Sequence, residues 1–283
     1  MFTESVALQN ACGVPSRMVS PDQAQQLSPL ISVEGLLAAA WSPGDGKATP
    51  EAVVHGYARA ARRHGARIVQ HCAVTGIDSS GGTITAVRTE HGSITTAAVV
   101  CAAGAWSRQV GAMVGVDLPV TPVRRQIAVT GPMPGLPAHS PSLTIDFPST
   151  FYFHLEGQGL LLGWSDPEQE SGFALSFELE RWGAGMAAVA ATRLPAVLDA
   201  GIRTGWAGLY EATPDENQII GRSAEVPGLL VATGYSGHGF LMAPATGEIV
   251  RDLYLGREPA YDIDPFALER FGAAVGRAEV NIV

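Results

Sequence analysis

Between Leu229 and Gly256 the apolar positions change period. Leu229, Leu230, Val231 and Ala232 form an unbroken apolar run, the pattern of a parallel strand covered on both faces. Gly234, Gly237 and Gly239 follow, and their missing Cβ atoms allow a tight turn and the close approach of another group. Leu241, Ala245, Ile249 and Leu253 then recur every fourth residue, which predicts a helix with Pro244 tolerated in its first turn and Gly256 as its stop. Strand, loop and helix in that order place backbone N–H groups and the positive end of a helix at the carboxyl edge of a sheet. Open α/β sheets bind ligands there. The glycines read GxxGxG rather than GxGxxG, so the pattern alone is equally compatible with a plain turn between a core strand and a core helix.

Elsewhere the pattern predicts a mixed fold. Residues 1–15 are helix-compatible through Val6, Leu8 and Cys12, and Ser20, Pro21 and Gln23 spell a capped start for a short helix to Leu27. Residues 35–41 read as a strand. Thr49, Pro50 and Glu51 open a helix that Arg62, Arg63, His64 and Gly65 close. Residues 67–77 and 83–89 read as strands joined at Gly81-Gly82, with a further turn at His91-Gly92. A buried strand from Val99 ends in the small residues Ala102, Ala103 and Gly104, and the next helix carries Trp106, Val110, Met113 and Val114 on one face. Residues 119–130, 143–145, 150–155, 159–164 and 204–210 read as antiparallel strands, interrupted by a helix at 177–194. The string Gly183-Ala184-Gly185-Met186-Ala187-Ala188 follows a charged, helix-like segment and is no dinucleotide loop. The fold class is therefore α/β plus α+β, with an open-sheet domain at 48–117 and 214–283 interleaved with an antiparallel-sheet domain at 1–47 and 118–213.

Composition narrows the function classes. The 283 residues are 46% hydrophobic and 16% charged, enough to bury a sizeable core. The net charge of −9 comes with no basic stripe, which argues against nucleic acid and anionic membrane surfaces as partners. No apolar run approaches the roughly 18 residues of a membrane span, and residues 1–15 lack a signal pattern, so a cytoplasmic location is expected. Cys12, Cys72 and Cys101, an odd number, read as reduced, buried thiols. No second His or Cys stands at metal-ligand spacing from His238, so no metal site is expected.

Three segments carry a family resemblance. Gly234-Tyr235-Ser236-Gly237-His238-Gly239-Phe240 resembles the C-terminal flavin loop of the glycine oxidase, D-amino-acid oxidase and sarcosine oxidase family of FAD-dependent amine oxidoreductases. The segment from Val99 to Ser107 is similar to that family's second FAD-contacting turn, and Gly208 to Asp215 to its TPD segment. The resemblance covers nearly the whole chain but only the C-terminal two thirds or so of a family member, with a β-subunit-like character. It implies FAD as cofactor and an FAD-binding, Rossmann-like domain that is incomplete, because the GxGxxG unit for the pyrophosphate is absent. The inserted antiparallel sheet would be the substrate domain. Such an incomplete sheet is expected to expose apolar edges at residues 99–102 and 229–232 unless a partner subunit or the missing segment covers them.

Site residues follow from the same resemblance. Val74, Ala103, Gly104, Trp106, Gly234, Tyr235, Ser236, Gly237, His238, Gly239, Phe240 and Leu241 would contact the cofactor. Tyr210 matches a pocket position, Arg124 and Arg125 could clamp a substrate carboxylate through their forked donors, and His238 completes the catalytic candidates. Gly208 stands where a covalent tether would form, so FAD is expected to be non-covalent. Leu241 and Leu161 stand where monomeric sarcosine oxidase has lysines, which favours a dehydrogenase at least as much as an oxidase. The implied reaction is oxidation of the C–N bond of a small amine or amino acid, of the sarcosine, glycine, D-amino acid, proline or opine type, to an imine. Two alternatives are a non-catalytic remnant or assembly subunit that does not retain FAD alone, and an FAD-dependent hydroxy-acid oxidoreductase.

Overall fold

The computed structural model describes residues 2–137 and 143–272. Helix α1 (Phe2–Ala11) buries Val6, and the Asn10 amide donates to the Val6 and Ser16 carbonyls at 2.9 and 3.0 Å. Strand β1 (Arg17–Val19), helix α2 (Pro21–Leu27) and strand β2 (Ala39–Trp41) follow, with β1 and β2 paired antiparallel. The expected start of α2 is a full capping box, in which Ser20 Oγ accepts from Gln23 N and Gln23 Oε1 accepts from Ser20 N. The strand expected at 35–41 shrinks to β2, because Gly35 sits at φ +68° in a turn that closes Leu36 N onto the Val33 carbonyl.

Helix α3 (Pro50–Arg63) has the expected limits, with Gly65 left-handed at φ +89° beyond it, yet it buries none of its residues. Strands β3 (Val74–Ser80), β4 (Thr83–Thr89) and β5 (Gly92–Thr95) make an antiparallel sheet in that order. Its first strand begins at Val74 rather than at 67, since His71 at φ +53° breaks the extended backbone. Strand β6 (Val99–Cys101) runs into a 3-10 turn, Gly104–Trp106, and then helix α4 (Ser107–Ala112). Val110, Met113 and Val114 pack on the core as expected, but Trp106 belongs to the 3-10 turn, leaves that face and is exposed.

Strands β7 (Thr121–Thr130), β8 (Thr144–Asp146), β9 (Phe151–Glu156) and β10 (Gly159–Trp164), helix α5 (Leu179–Arg193) and strand β11 (Ile202–Ala212) build the largest unit, a five-stranded antiparallel sheet ordered β11-β7-β10-β9-β8. One face packs on α5 through Ala128, Phe151, Phe153, Leu160 and Leu162 against Trp182, Met186 and Ala190. Arg124 is on this face, where its Nη1 meets Glu178 at 2.6 Å and its Nε meets Gln169 at 3.1 Å. Successive strand residues point to opposite faces, so Arg124 cannot join Arg125 at a substrate as the sequence suggested. Arg125, Ile127 and Val129 face the other way, in register with Gly208, Trp206 and Thr204 of β11, while Gly163 pairs Ile127 with Tyr152.

Strand β12 (Ile219–Arg222), which the sequence pattern does not reveal, pairs antiparallel with β13 (Leu229–Thr233), and β13 pairs parallel with β6. Leu229, Leu230, Val231 and Ala232 are all buried because β13 is the central strand, so the apolar edge expected at 229–232 does not exist. The other edge, expected at 99–102, does leave Val100 of β6 exposed. Helix α6 (Gly239–Tyr254) ends before Gly256 at φ +68°. Its fourfold stripe holds at Ile249 and Leu253, whereas Leu241 is 80% exposed. A four-residue step overshoots the 3.6-residue turn by about 40°, so the stripe drifts around the helix.

Cys101 is buried, Cys72 half-buried and Cys12 exposed, which corrects the expectation of three buried thiols. Residues 138–142 and 273–283, part of the two expected domains, lie outside the described residues. Among the described residues no helix is long and apolar enough to cross a membrane.

Candidate functional site

Where β13 ends, the chain turns left-handed at Gly234, Ser236 and Gly237, with φ of +78°, +51° and +103°. Glycine adopts this backbone freely, but serine needs support. Buried Ser236 has it, since its hydroxyl accepts from Thr213 N at 3.4 Å and donates to the Gly234 carbonyl at 3.3 Å. A Cβ on Gly234 would lie 2.4 Å from Thr213 Cγ2, and one on Gly237 would lie 2.5 Å from the Tyr210 ring. The loop is thus pressed onto the end of β11, and glycine is required at both points.

Helix α6 starts at once from this loop. His238 is its N-cap residue and makes no side-chain cap, so first-turn N–H groups and the positive helix end are left for another acceptor. The Gly104 turn, at φ +54°, is tied to the same place by three hydroxyl and carboxylate groups. Thr233 donates to Glu211 Oε2 at 2.7 Å, so in the 2.6 Å Ser107–Thr233 hydroxyl pair Ser107 is the donor. Between these elements lies a cleft of roughly 310 Å³, lined by Gly104, Trp106, Tyr210, Glu211, Tyr235, Gly237 and Gly239 among others. Trp106 stands at its mouth, stacked on Phe173 with centroids 5.6 Å apart. Burial raises the Tyr235 hydroxyl to about 12, against the opposing effect of its hydrogen bond to Thr246 Oγ1 at 3.0 Å.

The open sheet face next to the cleft holds a cation between two phenols. The Arg125 guanidinium carbon lies 5.1 Å from the Tyr210 ring centroid. Burial lowers the Arg125 pKa, and Tyr210 and Tyr152 oppose that shift. Burial also raises Tyr210 and Tyr152, Tyr152 further through Tyr210, while Arg125 pulls both back. At neutral pH the phenols are therefore uncharged donors and Arg125 stays a cation. Arg125 Nε is buried without a hydrogen-bond partner, and its Nη1 makes a long, 3.4 Å bond to the Arg124 carbonyl. An unpaired donor on a planar cation flanked by two hydroxyl donors is suited to a carboxylate.

The TPD segment lies behind the loop as a lock. Asp215 is 2% exposed and takes a forked pair from Arg270, Nε to Oδ2 at 2.7 Å and Nη2 to Oδ1 at 2.9 Å. Thr213 Oγ1 donates to the Asn217 carbonyl at 2.7 Å and closes the turn.

Of the residues expected at the cofactor, Gly104, Trp106, Tyr235, Gly237 and Gly239 come together at the cleft, with Tyr210 beside them. Ala103 heads the 3-10 turn, and Gly234 and Ser236 shape the loop from behind. His238 caps α6 and is not among the cleft-lining residues, Phe240 is exposed, and Leu241 lines a different cavity. Val74 begins β3, in another sheet and outside the cleft lining. The sequence reading missed Ser107, Glu211, Thr233, Arg270 and Tyr152. Ser107 and Glu211 lie inside segments that carry the resemblance, and Tyr152 left a signal as the polar-tipped member of Phe151-Tyr152-Phe153, where alternation turns it away from the core.

The cleft suits the ring or sugar part of FAD. Gly104, Gly237 and Gly239 keep it open, and the α6 N-terminus and Glu211 offer donors and an acceptor. Among the described residues no Lys or Arg lines it and the Glu211 carboxylate does, so a diphosphate does not fit there. Among the described residues no group of three or more His, Cys, Asp or Glu could hold a metal ion.

The sequence profile of the DAO family, FAD dependent oxidoreductase, matches residues 2–253. Glycine oxidase of Geobacillus kaustophilus is 31% identical over 274 residues, covering 93% of this chain and 68% of that protein. Mitochondrial sarcosine dehydrogenase of Mus musculus is 29% identical over 285 residues, covering 95% of this chain and 31% of that protein, so the chain spans about a third of its length. Among solved structures, L-proline dehydrogenase from P. horikoshii superposes with a TM-score of 0.89 at 30% identity, covering 98% of this chain and 74% of the other. Glycine oxidase from Geobacillus kaustophilus gives a TM-score of 0.79 at 27% identity, over 95% and 70% of the two chains.

Proposed function

The chain belongs to the DAO family of FAD-dependent oxidoreductases, and on that premise we propose that it serves in oxidising the C–N bond of a small amine or amino acid to an imine. One observation carries the reading. Tyr210 packs one way on the Gly237 loop and the other way on Arg125, so a single side chain joins the cleft to a cation suited to a carboxylate. Bound FAD would supply the two-electron acceptor for the amine.

The chain's own groups position the substrate. Arg125 binds its carboxylate through the free Nε and the guanidinium fork, and Tyr210 and Tyr152 add neutral hydrogen-bond donors. Their burial strengthens these contacts and limits water at the reacting carbon. The substrate amine reacts as the free base, its ammonium proton being released to water, and water hydrolyses the imine afterwards. Gly104, Trp106, Tyr235, Gly237, Gly239 and the α6 N-terminus would hold the cofactor, with Ala103, Gly234 and Ser236 fixing the loop. The binding is non-covalent. Gly208 carries no nucleophile, and burial raises the Cys101 thiol above its ordinary pKa, against the opposing effects of neighbouring Ser107 and the Ala103 backbone, which keeps it protonated. The names of the relatives, sarcosine dehydrogenase, glycine oxidase and L-proline dehydrogenase, support small amines as the substrate class. The uncovered α3 and the β6 edge offer a partner subunit a surface.

The test is titration of the chain with FAD, alone and with a GxGxxG-bearing segment supplied in cis or in trans for the pyrophosphate, where tighter binding is expected, followed by sarcosine, glycine and proline under an artificial electron acceptor. The expected result is a bound flavin that an amine bleaches and that acid precipitation releases into the supernatant. A chain that binds no FAD under any condition, or a flavin that no amine reduces, refutes the reading. Flavin retained in the precipitate refutes non-covalent binding.

A further inference from the structure

A second cavity, of roughly 500 Å³, lies where α1, β2 and β8 meet the first turn of α6. Trp41, Ile145, Phe147 and Leu241 contribute apolar walls, and Phe2 holds Phe147 edge-on with centroids 5.0 Å apart. Its size falls within the range of small-molecule sites. Ser16 is 6% exposed and lines the cavity, and its Oγ has no hydrogen-bond partner. A buried hydroxyl left unpaired is unfavourable, and a ligand ending in a hydrogen-bonding group would correct it. Exposed Asp45 stands among the lining residues and neither Lys nor Arg does, which disfavours an anionic tip.

The cavity adjoins the proposed substrate pocket. Ile145 pairs with Tyr152 across β8 and β9, which sets the two side chains side by side on the open sheet face. Tyr152 in turn interacts with Arg125 and Tyr210. Leu241 follows Gly239 of the cleft by two residues, so the start of α6 borders both spaces.

We propose that this cavity receives the side chain of the amine substrate, and that this side chain is bulky, apolar along its length and tipped by one uncharged hydrogen-bonding group such as a hydroxyl. The inference rests on amine oxidation as read above, which places the substrate carboxylate at Arg125. Glycine, sarcosine and proline would leave the cavity unfilled, and an N-substituted or α-amino acid with a phenol-sized side chain would occupy it.

The test uses the 283-residue chain without added flavin, with p-cresol and toluene as side-chain probes followed by saturation-transfer NMR and calorimetry. We expect p-cresol to bind more tightly than toluene. Ser16→Ala should lower the p-cresol affinity by about three- to tenfold and leave toluene unchanged, the effect of one hydrogen bond. It removes an unpaired hydroxyl, so its melting temperature should match or exceed the parent's. Ala40→Trp, at an exposed lining position, should block both probes. N-methyltyrosine should displace p-cresol where sarcosine does not, and Arg125→Gln should weaken N-methyltyrosine while leaving p-cresol unaffected. Failure of the parent to bind either probe, binding indifferent to Ala40→Trp, or N-methyltyrosine binding indifferent to Arg125→Gln overturns the inference. None of these measurements needs flavin or turnover, so their failure leaves amine oxidation standing, and failure of the flavin titration leaves the cavity result standing.

Discussion

A Cβ on Gly237 would press into the Tyr210 ring at 2.5 Å from a backbone already at φ +103°. Gly237→Val combines that overlap with a left-handed penalty of about 1–3 kcal/mol, and both act on the side chain that joins the cleft to Arg125. The expected outcome is loss of flavin binding in a chain whose far-ultraviolet dichroism stays native. Unchanged flavin affinity would remove the loop from the cofactor site. Tyr210→Phe keeps the ring on Gly237 and deletes the donor. Flavin affinity should hold while kcat/KM falls roughly tenfold or more, the worth of a hydrogen bond to a charged group. Because burial raises the phenol above its ordinary value, with Arg125 opposing, the activity contributed by Tyr210 should persist through the ordinary phenol range without loss by ionisation. Loss of activity by phenol ionisation near pH 8 would contradict this environment.

The turn from Thr213 to Asn217 depends on a partner far along the chain. Burial pushes the Asp215 carboxyl up, but the Arg270 hydrogen bond, the Asn217 N–H and the Thr213 hydroxyl together outweigh it and hold the group below its ordinary range. A carboxylate depressed on folding stabilises the fold above its unfolded pKa, near pH 4, and that contribution disappears as pH falls through the lower folded value. The parent should therefore lose stability on acidification below about pH 4, and Asp215→Asn should flatten that limb. At pH 7 the variant takes away the Arg270 countercharge and leaves the Ala267 and Asn217 carbonyls and the Phe271 ring as its partners, a loss of about 1.5–3 kcal/mol readable in urea titrations. A variant as stable as the parent would show that the 268–272 turn does not clamp the loop.

Over the whole molecule the apolar surface is uneven. Helix α3 buries nothing, and its Val54 and Tyr57 are 63% and 59% exposed, while β6 leaves Val100 exposed beside an unpaired edge. An amphipathic helix and a parallel edge strand both gain from cover. Sedimentation should show concentration-dependent association of the chain, reduced by Val54→Lys with Tyr57→Ser and by Val100→Lys. A strictly monomeric chain at high concentration would mean that this surface is tolerated in water.

Local rules were enough wherever a signal and its response lie within one turn of chain. The Ser20 capping box, the limits of α3, the Gly81-Gly82 turn and the strand–loop–helix from Leu229 could be read directly, because the groups that satisfy each backbone are neighbours in sequence. The flavin loop was legible as a resemblance and as a glycine spacing. What brings Tyr210 onto Gly237, Ser107 and Thr233 onto Glu211, or Arg270 onto Asp215 is pairing across 22 to 126 positions, and no periodicity encodes that. Face assignment divided in the same way. Alternation says that Arg124 and Arg125 point apart, yet only the position of α5 decides which of them is taken by Glu178 and which is left with an unpaired donor beside two tyrosines. The burial of β13 on both faces was legible in its unbroken apolar run, and the drift of Leu241 follows from helical geometry, whereas the strand β12 that flanks β13 was supplied only by the assembled sheet. A residue's covering depends on which elements arrive beside it, and that is a property of the assembled sheets rather than of any stretch of sequence.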